Sequence, residues 1–189
     1  KTYNQQKDNL EKFENILPSL KKSNKTLLID IKDYGAEQSL IKLIKKHKLQ
    51  KQIIVVSWNL TILKKIHKLN KSLPLSFSFY PTTNILQKIK CNLINDFSLT
   101  NNCYTLNKPI TEYDLKKGTT IGHFLSGIPN LKLLSINIPW YLATKRIVNQ
   151  AKQRNIKINI FTINNKLTYN LSKNKADAIF TNKPRLFLK

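Results

Sequence analysis

Short apolar runs alternate with longer amphipathic ones over most of the chain, and the alternation sets the expected elements. Residues 9–22 carry Leu10, Phe13, Leu17 and Leu20 at helical spacing, with Pro18 expected to end or kink the helix. A strand is expected over Leu27–Ile31, where Leu27, Leu28 and Ile29 are apolar at consecutive positions, as in a strand buried on both faces. Residues 36–48 return to helical spacing, with Leu40, Leu43, Ile44 and His47 on one face and Lys42, Lys45, Lys46 and Lys48 largely on the other. A β-branched strand follows at 53–58, then a helix at 60–69 with Asn59 as its N-cap, then a strand at 75–79 introduced by Pro74. A short helix at 84–90 and a strand at 93–97 are expected next. From Ser98 to Gly118 the periodicity fails, and residues 98–130 read as an irregular insertion. The rhythm resumes with a strand at 131–138 and a helix to Arg154 with Pro139 at its first position. A strand at 157–163, a helix at 167–173 and a strand at 178–181 complete the series.

Strand and helix in strict alternation predict a parallel sheet with helices outside it. The six or seven strands expected here fit a (β/α)8 barrel of TIM type, which averages about 250 residues, or roughly 31 per unit. At that rate 189 residues hold about six units. The fold class expected is therefore an α/β barrel lacking two of its βα units, in one domain covering residues 1–189. The sequence contains no methionine, which predicts a processed product or a piece of something longer.

Composition changes this picture only in part. The 41% hydrophobic content suits a globular core, and no apolar run approaches the roughly 20 residues of a membrane-spanning helix. The formal charge of +23 invites a nucleic-acid reading. Against it, the cations are nearly all lysine, with arginine only at Arg146, Arg154 and Arg185, and they are spread over helix faces. General attraction to anionic surfaces, membranes included, fits that distribution better. Cys91 and Cys103 are too few and too far apart for a zinc site, and their pairing stays open.

Candidate chemistry gathers at the C-terminal ends of strands, where a barrel places its active face. Asp30 and Lys32 are two residues apart and share one face of an extended chain. Ser57 and Trp58 end the second strand, and Phe161 and Asn164 bracket the end of the penultimate one. His123 is a secondary candidate at the end of the irregular stretch, while His47 and His67 sit in lysine-rich helices. Each has a plainer reading: a solvated ion pair for Asp30 and Lys32, packing for the two aromatics, a helix cap for Asn164.

The ordered series of these segments resembles the glycerophosphodiester phosphodiesterase family. Leu28-Ile29-Asp30-Ile31-Lys32 resembles that family's L-N-I-E-I-K, and Val55-Val56-Ser57-Trp58-Asn59 its V-S-S-F-D. Leu73-Pro74-Leu75 is similar to its P-D-L-P-L, and Ile160-Phe161-Thr162-Ile163-Asn164 to its V-W-T-V-N. Ala176 to Pro184 resembles G-V-D-G-I-I-T-D-R-P. Three departures stand out: Asp30 replaces a Glu, Phe161 replaces a Trp, and the opening H-R-G, the E-x-D pair and the second histidine are not found. Those belong to the first two βα units, the two that the strand count lacks.

The resemblance implies metal-dependent hydrolysis of glycerophosphodiesters to glycerol 3-phosphate and an alcohol, with a divalent cation, Mg²⁺ or Ca²⁺, as cofactor. It implies Asp30 as one metal ligand, Lys32 as the phosphate cation, and Trp58 and Phe161 as apolar walls, with Ser57, His123 and Asn164 in secondary places. The histidines, the arginine and two further carboxylates are expected in an N-terminal segment supplied in cis or in trans, without which the chain is expected to be inactive. The alternative is a non-catalytic barrel remnant that binds anionic phospholipid head groups.

Overall fold

A computed structural model of the chain describes residues 12–79 and 131–187. The elements are α1 (Phe13–Lys22), β1 (Leu27–Asp30), α2 (Glu37–His47), β2 (Ile53–Ser57), α3 (Leu60–Leu69), β3 (Leu75–Ser78), β4 (Ser135–Pro139), α4 (Lys145–Gln153), β5 (Lys157–Phe161), α5 (Lys166–Ser172) and β6 (Ala178–Ile179). Single 3₁₀ turns lie at Trp140–Leu142 and Pro184–Leu186. The helix expected at 84–90, the strand at 93–97, the irregular stretch 98–130, His123 and both cysteines lie outside the described residues.

All six strands pair in parallel and in chain order, β1 to β6. Because each crossover advances by one strand in the same direction, the sheet has no point at which the winding reverses. That is the progression of a β/α barrel and not of a doubly wound sheet.

The two faces of the sheet differ in chemistry. The outward face carries Ile53, Val55, Leu75, Phe77, Ile136, Ile138, Ile158 and Ile160, all buried. They form one core with Leu17, Ile44, Ile62, Leu63, Ile66, Ile147 and Ala151 from the surrounding helices. The inward face carries Ser76, Ser135, Asn137 and Asn159, also buried but polar.

Local chemistry explains most element ends. Asn59 caps α3 by accepting from the Thr61 N–H at 3.0 Å, as expected. Lys48 closes α2 in the left-handed region, φ 58°. Pro18 neither ends nor visibly divides α1, which runs on to Lys22 with Leu17 buried and Pro18 exposed. Pro139 is a correction: it is the last residue of β4, beside Phe161 of β5, and not the first of a helix. The helix begins six residues later, where Thr144 supplies the cap by accepting from the Ile147 N–H at 3.4 Å. A proline at a strand end forfeits no interior ladder bond, so the extended conformation wins there. β5 stops at Phe161, short of the expected Ile163, because Thr162 turns into the left-handed region with φ 64°.

Candidate functional site

The inward face opens at its C-terminal end into a cavity of about 680 Å³. Among the described residues its walls are Leu28, Asp30, Lys32, Val56, Trp58, Ser78, Phe79, Asn137, Phe161 and Phe180. Alternation accounts for most of this set: Leu28 and Asp30, Val56 and Trp58, and then Ser78, Asn137, Phe161 and Phe180 each occupy inward positions of successive strands or their extensions. Four of the residues expected from the sequence, Asp30, Lys32, Trp58 and Phe161, thus meet in one cavity.

Asp30 and Lys32 form an ion pair at 3.8 Å, with side chains 47% and 67% exposed respectively. That separation is too long for a hydrogen bond, and pairs this exposed contribute little to stability. The pair is loose enough for an incoming anion to replace Asp30 as the partner of Lys32. Burial against the cavity wall pushes the Asp30 carboxyl above its ordinary value, and the positive charge of Lys32 only partly offsets this.

The loop carrying Lys32 is held from both sides. Ile31 donates its N–H to Val56 at 2.9 Å and accepts from the Ser57 hydroxyl at 2.6 Å. The Ser57 oxygen in turn accepts from the Asn59 N–H at 3.1 Å. Ser57 is therefore fully buried and ties the end of β1 to the start of α3, and it does not line the cavity. Asn59 donates its side-chain amide to the Tyr34 hydroxyl at 2.7 Å. Gly35, at φ 103°, occupies a conformation that side chains adopt only under strain, and its N–H reaches Glu37 Oε2 at 3.0 Å. Glu37 is buried and also receives Lys65 Nζ at 3.0 Å.

On the opposite wall, Phe161 is followed directly by the left-handed Thr162. Asn164 accepts from the Asn182 N–H at 2.9 Å and from the Thr181 hydroxyl at 3.3 Å. It thus fastens the loop after β5 to the loop after β6, away from the cavity lining.

Sequence reasoning did not single out Ser78, Asn137 or Phe79. A signal for the first two exists: L-S-F-S, S-I-N-I and I-N-I-F place polar residues at alternate positions of otherwise apolar strands. Below the cavity these residues join. Asn159 Nδ2 donates to Ser135 Oγ at 3.0 Å and to Asn137 Oδ1 at 2.8 Å. Ser135 Oγ donates to Ser76 Oγ at 2.7 Å, which reaches Asn137 Oδ1 at 3.1 Å.

The sequence profile of the glycerophosphoryl diester phosphodiesterase family matches residues 5–186. The chain belongs to that family. Several solved phosphodiesterases share its fold. The glycerophosphodiester phosphodiesterase of Parabacteroides distasonis is 18% identical, with a TM-score of 0.63 over 98% of this chain and 68% of that one. The enzyme from Thermotoga maritima is 16% identical, with a TM-score of 0.57 over 86% of this chain and 56% of its own. The Oleispira antarctica phosphodiesterase, solved with its product sn-glycerol-3-phosphate, is 15% identical, with a TM-score of 0.56 over 85% and 53%. Among curated proteins, none matches the chain in sequence. The chain spans little more than half to about two thirds of the length of these solved phosphodiesterases.

The family resemblance implies a divalent cation, and the residues in hand do not hold one by themselves. Hard cations take six or more oxygen ligands, several of them carboxylates. Among the described residues, Asp30 is the one acidic side chain lining the cavity, and no three His, Cys, Asp or Glu side chains converge. No helix of the described residues is long and apolar enough to cross a membrane.

Proposed function

We propose that the chain is the larger part of a glycerophosphodiester phosphodiesterase, which hydrolyses a glycerophosphodiester to glycerol 3-phosphate and an alcohol. The observation that carries this reading is the meeting of Asp30, Lys32, Trp58 and Phe161 around one cavity at the C-terminal ends of parallel strands. Lys32 neutralises the phosphodiester anion, and Asp30 offers one oxygen donor to a divalent cation. Trp58 and Phe161 exclude water, so that the charge of Lys32 acts in a less polar medium. A metal of this kind, once held, lowers the charge that a nucleophile must overcome. The reading assigns the acid–base histidines and the remaining metal ligands to two further βα units, supplied by a preceding segment in cis or in trans. The family membership and the sn-glycerol-3-phosphate bound by the Oleispira phosphodiesterase support the substrate class.

The test is release of glycerol 3-phosphate from glycerophosphocholine by the full-length protein with Mg²⁺ or Ca²⁺. Activity that falls at least about a hundredfold with Lys32→Ala supports the assignment, as expected for loss of a charge-stabilising group. No release by a folded full-length protein with either metal sinks it. The net charge of +23 favours a second reading, a remnant that binds anionic phospholipid surfaces without hydrolysis. That reading requires salt-sensitive sedimentation with phosphatidylserine vesicles, together with inactivity of the full-length protein.

A further inference from the structure

The floor of the cavity has a chemistry different from its rim. The side-chain hydrogen bonds of the buried network run toward Asn137: Ser135 donates to Ser76, Ser76 shares its hydroxyl hydrogen between Asn137 Oδ1 at 3.1 Å and the Ser135 carbonyl at 3.2 Å, and Asn159 donates to both Ser135 Oγ and Asn137 Oδ1. The Asn137 oxygen therefore accepts twice and faces the strands. Its amide nitrogen has no hydrogen bond among the described residues, although the residue is only 2% exposed and lines the cavity. Ser78 stands beside it on β3, in direct register with Asn137, and its hydroxyl also lacks a partner among the described residues. An amide held rigidly through its oxygen presents its N–H donors to the open cavity. It is well placed to recognise a neutral acceptor.

We infer that Asn137, seconded by Ser78, reads an uncharged hydroxyl on the part of the ligand that enters deepest, while the anionic part stays at the rim with Lys32. This rests on the phosphodiesterase reading above and deepens it by naming the specificity-determining residues. A hydroxyl suits the pair because its oxygen accepts from the Asn137 amide while its hydrogen reaches Ser78 Oγ. An anion is served better by Lys32, since the floor bears no charge. Leu28 of β1 and Val56 of β2 line the same cavity and offer a ligand's carbon skeleton apolar contact and no competing polar group. A site built around a hydroxyl discriminates strongly against an analogue that lacks it, because the protein groups are then left unpaired.

The experiment measures binding of glycerol 3-phosphate, n-propyl phosphate and inorganic phosphate to the full-length protein by calorimetry, in Mg²⁺ and in EDTA. The native protein should bind glycerol 3-phosphate at least about tenfold more tightly than n-propyl phosphate. Asn137→Leu should abolish that preference and leave n-propyl phosphate and phosphate within about twofold of their native affinities. Ser78→Ala removes no member of the buried network, so it carries the test if Asn137→Leu does not fold. Its expected effect is a loss of about threefold for glycerol 3-phosphate alone. Equal native affinity for the two esters, or losses shared by all three ligands in a folded variant, would overturn the inference while the phosphate site at Lys32 stands. Failure of all three to bind overturns both the inference and the reading beneath it.

Discussion

The two faces of the sheet are built from the same six strands, yet they solve opposite problems. The outward face is apolar and closed: Phe77 is fully buried and meets Phe79 edge-on, with ring centroids 4.9 Å apart. The inward face is half open and, from β3 to β5, polar, with its hydrogen bonds made sideways from strand to strand below and its upper end exposed to the cavity. Burial alone does not separate the two, since Ser76 and Leu75 are equally inaccessible. What separates them is where the free energy comes from. The outward face draws on area removed from water, the inward face only on bonds that must all be made or else become a liability.

The largest test of that contrast is Phe77→Ala, which should cost about 3–5 kcal/mol through lost burial and the cavity it leaves. Urea unfolding reads it directly. Asn159→Leu, on the inward face, should cost about 1–3 kcal/mol by removing one of the two side-chain hydrogen bonds at each of Ser135 Oγ and Asn137 Oδ1. Removing Ser135 in the same background should then cost less than it does alone, as shared networks require. If the inward change equalled the outward one, the division of labour between the faces would collapse.

A finer separation comes from two carboxyls shifted in opposite directions from their ordinary values. Glu37 lies under the loop after β1; burial pushes its carboxyl up, but hydrogen bonds from Lys65, its own N–H and Gly35, with the charge of Lys65, hold it below its ordinary value. Its contribution to stability is therefore complete above about pH 4.3 and is lost as pH falls through its folded value. Asp30 at the cavity is raised, so its contribution is present below about pH 3.9 and is lost as pH rises through its folded value. Melting temperatures from pH 3 to pH 7 should show Glu37→Gln losing stability near neutrality and flattening the acid limb. Asp30→Asn should match or exceed the native protein at pH 7. A fall in melting temperature at neutral pH for Asp30→Asn would contradict the sign.

The smallest expected effect lies at the turn after β5. Thr162 is a β-branched residue at φ 64°, a conformation that costs roughly 1–2 kcal/mol outside glycine. Thr162→Gly should raise stability by less than about 1 kcal/mol, because relief of strain is set against the flexibility of glycine in the unfolded chain. A calorimetric scan showing marked destabilisation instead would mean that the threonine side chain itself holds the Phe161 wall in place.

The sequence made the outward face easy to read, because its residues form a nearly continuous apolar run in β2 and recur at every second position in β3 to β5, as buried strands require. α3 was legible to the residue, since Asn59 supplies a cap just where the helical pattern begins. Asp30, Lys32, Trp58 and Phe161 were visible because charge or an aromatic ring interrupts a strand at its end. Pro139 misled because proline suits both a first helical turn and the last position of a strand, and only the pairing with Phe161 decides between them. Ser78 and Asn137 stayed hidden for a different reason. Serine and asparagine are the residues of turns, and their role here follows from neighbours on other strands that no local window contains.

The progression of strands also governs how the chain can find its fold. Contacts between successive strands bridge short separations: 26 residues for Ser57 to Ile31, 24 for Asn159 to Ser135 and 19 for Ile158 to Asp177. The contact of Ser135 with Ser76 bridges 59. Closing that loop costs about 0.8 kcal/mol more entropy than closing one of 24 residues. Two locally wired halves, β1 to β3 and β4 to β6, can therefore assemble early and meet late. Substitutions at Ser76 or Ser135 should then speed unfolding and leave the folding rate nearly unchanged in stopped-flow experiments. The seam along which the halves join carries the hydroxyls that floor the cavity, so the binding surface is completed only as the last contacts form.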